Sequence, residues 1–195
     1  MKKAIIFSIA GVIIASGVFF EKNFNHTGQS AHPKTKNSID DRVPAIVKYG
    51  TPIRVARVID GDTIELDTGD RLRYIGIDTP EEVDPRKPVQ CFAREAALKN
   101  KELVEGKNII FYNDISERDQ YGRLLGFVYL ENGTFINREL VRQGYAFAYP
   151  YPPDISLADP FRKDEIEARE HQRGLWAGCN ISKTKHNREQ TSPTE

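Results

Sequence analysis

Cysteine is scarce in this chain, with Cys91 and Cys179 the two among 195 residues. No Cys-x-x-Cys pair and no Cys/His cluster occurs, so nothing in the sequence holds zinc. Histidine is equally sparse. His26, His32 and His186 fall in polar stretches and His171 in a charged segment, which leaves no histidine set for a metal or a general base. A charge of one sign is also missing, since 28 basic residues meet 28 acidic ones. The basic footprint of a tight nucleic-acid binder is therefore absent. Between residues 45 and 180 the count is 19 basic against 23 acidic, or −4, which counts against tight nonspecific binding. An enzyme that holds a divalent cation tolerates such a deficit, because the metal brings positive charge to the place where a phosphate arrives.

What is present suits one globular domain with tails: 39% hydrophobic residues, ten Phe and eight Tyr, unevenly spread. Lys2 and Lys3 precede an uncharged apolar run of 17 residues from Ala4 to Phe20. This arrangement directs export, and its length suits either a cleaved signal peptide or a retained membrane anchor. The two lysines favour a cytoplasmic N-terminus, so the rest of the chain is expected to be secreted or anchored outside the cytoplasmic membrane. Residues 21–45, rich in Asn, His, Ser, Lys and Pro, read as a flexible linker. The core-forming domain is expected over 46–180, and the polar stretch 181–195 reads as a disordered tail.

Within the domain, β-rich segments from Ile53 to Asp67 are broken by Asp60-Gly61, which predicts a hairpin. A turn at Thr68-Gly69-Asp70 leads into a strand over 71–77. Its alternation places Leu72 and Tyr74 on one face and Arg73, Ile75 and Ile77 on the other. A charge beside two isoleucines is costly unless it reaches an edge or meets an anion, which singles out Arg73. Helices are expected over 92–104, 135–143 and 159–173, the last with Phe161, Ile166 and Ala168 as its apolar side. Further strands are expected at 107–112 and 124–130, giving five. Five short strands with interspersed helices suggest an α+β fold around a five-stranded OB-type Greek-key barrel.

Four islands carry the chemistry: Ile59-Asp60-Gly61-Asp62-Thr63; Arg73 through Asp78-Thr79-Pro80-Glu81; Asp119-Gln120-Tyr121-Gly122-Arg123; and Tyr149-Pro150-Tyr151. Asp62, Asp78 and Glu81 are hard oxygen donors at strand ends and loops, the type that Ca²⁺ selects. Alone, each island has an ordinary reading as a turn, a loop start or a surface ion pair. Together, in order and spacing from about Val55 to Trp176, they resemble the staphylococcal (micrococcal) nuclease family.

The resemblance implies a calcium-dependent endonuclease that hydrolyses DNA and RNA to 3′-phosphate products with little sequence specificity. It implies that Asp62 and Asp78 bind Ca²⁺ through carboxylates and Thr79 through its carbonyl. Glu81 is then the general base, while Arg73 and Arg123 grip the scissile phosphate. Both arginine heads are expected to face solvent or substrate, so that replacing either leaves folding intact. Tyr121, Tyr149 and Tyr151 match positions that contact the nucleotide. Family members often carry lysine where this chain has Gln120, which implies the loss of a phosphate contact. The family's fold also brings Cys91 and Cys179 to positions where they can pair outside the membrane. A monomer is expected, with a membrane partner only if the N-terminal segment is retained. The alternative reading is a catalytically inactive OB-type module that only binds nucleic acid, although none of the charged set is missing here.

Overall fold

The structure, a computed structural model, describes residues 50–82 and 88–193. The N-terminal apolar run and the linker lie outside the described residues. Among the described residues no helix is long and apolar enough to cross a membrane.

Five strands close a barrel in the order β1-β2-β3-β6-β5. These are β1 Ile53–Val58, β2 Thr63–Leu66, β3 Arg71–Tyr74, β5 Asn108–Tyr112 and β6 Leu124–Leu130. Alternation sets the inward faces, as sequence reading expects: Val55, Ile64, Leu66, Leu72, Tyr74, Ile109 and Val128 are buried, whereas Arg54, Arg57 and Arg71 are exposed. The Asp60-Gly61 turn joins β1 to β2 antiparallel, with Val55 opposite Leu66 and Val58 opposite Ile64. The barrel closes through one parallel pairing, Leu72 to Leu124 through Tyr74 to Gly126, and through β1 against β5. Each of the fully buried aliphatic side chains contributes about 1.5–3 kcal/mol.

The strand expected over 71–77 does not continue. It breaks at Ile75, and β4, Gly76–Asp78, leaves the barrel to pair antiparallel with β7, Phe147–Tyr149. Gly76 makes this bend. Its φ of 78° is left-handed, and a Cβ there would lie 2.2 Å from a ring carbon of Phe161. Buried Asn137 on α2, Ile136–Arg142, secures the break by donating to the Ile75 carbonyl at 2.9 Å and accepting from the Val128 amide at 2.9 Å.

Helix α1, Ala93–Val104, buries Ala93, Ala96, Asn100 and Val104, a helical stripe that covers the barrel. Asn100 is fully buried because both ends of its amide are used. It accepts from the Tyr74 hydroxyl at 2.9 Å and donates to the Asp60 carbonyl at 3.0 Å, which fixes the β1–β2 turn. Helix α3, Ala158–Glu170, buries Pro160, Phe161, Asp164 and Ala168. Ile166, expected on its apolar side, is instead 56% exposed, because the 3.6-residue repeat set by Phe161, Asp164 and Ala168 turns it outward. The short helix α4, Leu175–Gly178, follows.

The stretch expected to be a disordered tail is ordered through residue 193. Strands β8, Ile181–Lys183, and β9, Glu189–Thr191, form an antiparallel hairpin. Polar composition misleads there because tertiary ties hold the hairpin. Cys179 is disulfide-bonded to Cys91, with Cα atoms 5.9 Å apart, and the Thr191 hydroxyl donates to the Cys91 carbonyl at 2.8 Å.

Candidate functional site

The β1–β2 turn and β4 bring two buried aspartates together beneath one arginine. Asp62 is 1% exposed and Asp78 2%. The Asp62 backbone amide donates to Asp60 Oδ1 at 3.0 Å, and Gly61 permits the turn to pack on Thr79, where a Cβ would come 2.6 Å from the Thr79 hydroxyl. Asp62 Oδ2 accepts from both the Thr79 amide, at 2.9 Å, and its hydroxyl, at 3.1 Å. Arg73 bridges the pair. One terminal nitrogen donates to Asp62 Oδ1, and the other to Asp78 Oδ1 at 2.8 Å. The bulge-free register of β3 against β2 sets Arg73 opposite Thr63, one residue from Asp62.

Sequence reading expects the Arg73 head to face solvent or substrate; it lines the cleft, but its side chain is only 18% exposed and is anchored on two carboxylates. Burial opposes its charge, but Asp62, Asp78 and Asp60 outweigh that effect and hold the guanidinium protonated. The carboxyls show the reverse strain. Burial, reinforced by the Asp62 charge, pushes the Asp60 carboxyl up to about 7. Burial also raises Asp78 despite Arg73 and Arg188, and raises Glu81, to which Asp62 and Asp78 add. Four acidic groups thus crowd a place served by two guanidinium groups.

Arg123 reaches the same cleft from another direction. Asp119 orders its loop by accepting from the Tyr121 amide at 2.9 Å and the Arg123 amide at 3.0 Å, and takes the Arg123 Nε at 2.7 Å with its second oxygen. The guanidinium lies 5.6 Å from the Tyr121 ring centre. The Tyr149 and Tyr151 rings stack with centroids 6.3 Å apart. Arg73, Arg123 and all three tyrosines line one open cleft of about 540 Å³. Tyr121 is 76% exposed and Tyr151 67%, so neither is packed against the sheet. Glu81 is half-buried beside the carboxylates, its amide donating to the Gln90 side chain at 2.7 Å.

The chain matches the family model described as "Staphylococcal nuclease homologue" over residues 71–178. The chain belongs to the staphylococcal nuclease family. It is 38% identical to the SPbeta prophage-derived endonuclease YokF of Bacillus subtilis over 130 residues, which cover 64% of this chain and 44% of that protein. It therefore spans less than half the length of that relative. It is 36% identical to endonuclease YncB of the same organism over 160 residues, 79% of this chain and 71% of that protein. It is 35% identical to the thermonuclease of Staphylococcus hyicus over 127 residues, 64% and 75% of the two chains.

The family's closed five-stranded barrel accounts for how distant islands meet: Asp62, Arg73 and Asp78 sit at successive strand ends, and Arg123 enters at the start of β6. Asp62 and Asp78 carry hard carboxylate oxygens of the kind Ca²⁺ prefers, here engaged by Arg73 and Arg188, and the surplus of acidic groups suits a divalent cation. Among the described residues no three His, Cys, Asp or Glu side chains form a metal cage. Calcium does not require one, since it accepts backbone carbonyls and water beside two carboxylates.

Sequence reasoning missed two participants. Asp60 reads as a turn residue, and its burial beside the Asp62 charge is what makes it a perturbed acid. Arg188 lies in the presumed tail, yet its Nε donates to Asp78 Oδ2 at 2.6 Å. No local signal marks it, because its place depends on the disulfide-tied hairpin.

Proposed function

We propose that the chain is an exported, calcium-dependent endonuclease that hydrolyses phosphodiester bonds of DNA and RNA to 3′-phosphate products with little sequence specificity. The observation that carries the reading is the convergence of Arg73 and Arg123 on one cleft beside Tyr121, Tyr149 and Tyr151, with Arg73 anchored on the buried Asp62 and Asp78. Membership of a family whose relatives are named endonuclease and thermonuclease supports it.

Asp62, Asp78 and the Thr79 carbonyl would hold Ca²⁺, which supplies positive charge to the phosphate and polarises water. Arg73, fixed by two carboxylates, and Arg123, fixed through Nε by Asp119, each keep N–H groups beyond those bonds to offer to the nonbridging oxygens as charge builds up. Arg123 also assists the departing 5′ oxygen. Glu81 takes the proton of the attacking water. Its raised pKa makes it a better base near neutrality than an exposed carboxylate. Tyr121, Tyr149 and Tyr151 offer ring faces to any base, which accounts for weak sequence preference.

The Cys91–Cys179 bond suits an oxidising compartment, and with the N-terminal apolar run it supports secretion, or tethering outside the cytoplasmic membrane if that run is retained. A monomer suits this reading, because Arg73 and Arg123 meet at one cleft within a single chain.

The test is the release of acid-soluble fragments from single-stranded DNA by the full chain, with Ca²⁺ and with excess chelator. Cleavage to 3′-phosphate ends in Ca²⁺ alone is expected. Binding without cleavage in both buffers would sink the enzymatic reading in favour of the inactive binding module.

A further inference from the structure

We propose that Arg188, carried by the C-terminal hairpin, is a third phosphate-binding guanidinium of this cleft, and that it holds the phosphate adjacent to the scissile one on the Tyr149 side. The inference rests on the nuclease reading and extends it to a residue beyond the family match, which ends at 178.

A hairpin with three residues per strand is marginal by itself, so its position must come from what it is tied to. The ties are specific. The disulfide fixes its root at Cys179. The Cys91 amide donates to the Ser192 carbonyl at 2.8 Å, and Arg169 pairs with Glu189. The turn is closed by Thr184, whose amide donates to the Arg188 carbonyl at 2.7 Å while its hydroxyl accepts from the Arg188 amide at 3.1 Å. Arg188 is thereby placed at the cleft with a fixed backbone.

Its side chain lies across the cleft wall. Nε and one terminal nitrogen donate to Asp78 Oδ2, and the guanidinium lies 5.4 Å from the Tyr149 ring centre. A residue that merely neutralised Asp78 would have its head enclosed. Arg188 is instead 36% exposed and lines the same cleft as Arg73 and Arg123. A cation beside the face of Tyr149, with Tyr151 stacked behind, is the arrangement for a base on the rings and its phosphate on the guanidinium. The same cleft carries the neutral Gln120, in a domain whose formal balance is acidic, so Arg188 supplies charge that the Asp119–Arg123 island lacks.

Full-chain protein and its Arg188→Ala and Arg188→Lys variants are titrated with a fluorescently labelled single-stranded oligothymidylate in excess chelator, at several salt concentrations, by anisotropy. Arg188→Ala is expected to weaken binding about tenfold and to reduce the slope of log K against log salt by about 0.7, the value for one lost contact to a single strand. Arg188→Lys is expected to recover most of the slope and less of the affinity, because lysine keeps the charge but not the fork. In Ca²⁺, Arg188→Ala is expected to raise KM more than it lowers kcat. Unchanged affinity and slope in Arg188→Ala would overturn the inference and leave Arg188 as a partner of Asp78 alone. Tighter binding would overturn it too, by showing that Arg188 plugs the cleft. If the parent protein binds or cleaves while Arg188→Ala matches it, only this inference fails. If the parent neither binds nor cleaves, the nuclease reading fails first.

Discussion

Replacing Arg73 by alanine separates what the arginine does for folding from what it does for chemistry. Arg73 is the shared partner of Asp62 and Asp78, which are 1% and 2% exposed. Removing it in metal-free protein leaves Asp62 with the Thr79 amide and hydroxyl and the Thr63 hydroxyl, and leaves Asp78 with Arg188. Breaking one partner out of a buried ion pair costs about 3–5 kcal/mol, because a charge stays buried without its counter-ion. Arg188 retains part of that compensation at Asp78, so about 3 kcal/mol is expected. Arg123→Ala differs: its side chain is 28% exposed and pairs with Asp119, which keeps two backbone donors, so about 1 kcal/mol or less is expected. Urea unfolding followed by fluorescence, in chelator and in millimolar Ca²⁺, measures both. Arg73→Ala should unfold at markedly lower urea than Arg123→Ala in chelator, and Ca²⁺ should narrow the gap by countering the stranded carboxylates. Both variants should have lost cleavage. An Arg73→Ala midpoint equal to that of the parent in chelator would refute the view that Arg73 is a structural counter-ion as well as a phosphate ligand.

Asp60 sets a pH dependence. Its carboxyl is raised from 3.8 to about 7 in the fold, so its favourable contribution is complete below about pH 3.8 and is lost as pH rises to about 7. Metal-free protein should gain about 2 kcal/mol on going from pH 8 to pH 5.5, and Asp60→Asn should abolish most of that difference; an equally steep profile in the variant would assign it elsewhere. The Cys91–Cys179 bond closes a separation of 88 residues, which chain entropy equates to about 4–5 kcal/mol. The double Cys91→Ser, Cys179→Ser variant should lose several kcal/mol in urea titration, and a loss below about 1 kcal/mol would show that the hairpin and loop ends are held without it.

The barrel strands were legible where local chemistry and tertiary need coincide. Asp60-Gly61 supports a tight turn in isolation, and the alternation around Val55, Ile64 and Leu72 matches the face each strand buries. Legibility failed where the deciding contact is distant in sequence. Gly76 fits an alternating strand as well as a bend, and the close approach of Phe161, on a helix more than eighty residues later, is what makes it a bend. Strand β7 has three residues and exists because β4 leaves the barrel to meet it. The hairpin at 181–191 is polar enough to read as a tail, and its order comes from the disulfide and the Arg169–Glu189 pair.

The site divides along the same line. The islands present Asp62, Arg73, Asp78, Glu81 and Arg123 in order, and carboxylates beside guanidinium groups are the residue types that the proposed phosphodiester chemistry would use. Their electrostatic state was not legible. Sequence suggests an arginine reaching outward to a phosphate, whereas the fold first uses Arg73 to make two buried aspartates tolerable. That arrangement follows from the barrel: strands converge at their ends, so the acidic and basic groups that the proposed reading assigns to a cation and a phosphate face one another. The acids then need counter-ions of their own, and the arginines that the proposed reading assigns to the substrate are the nearest available. A site built this way has its guanidinium forks oriented before the substrate arrives. The same logic explains why Arg188 is found on Asp78 and why no pattern near residue 188 could have announced it.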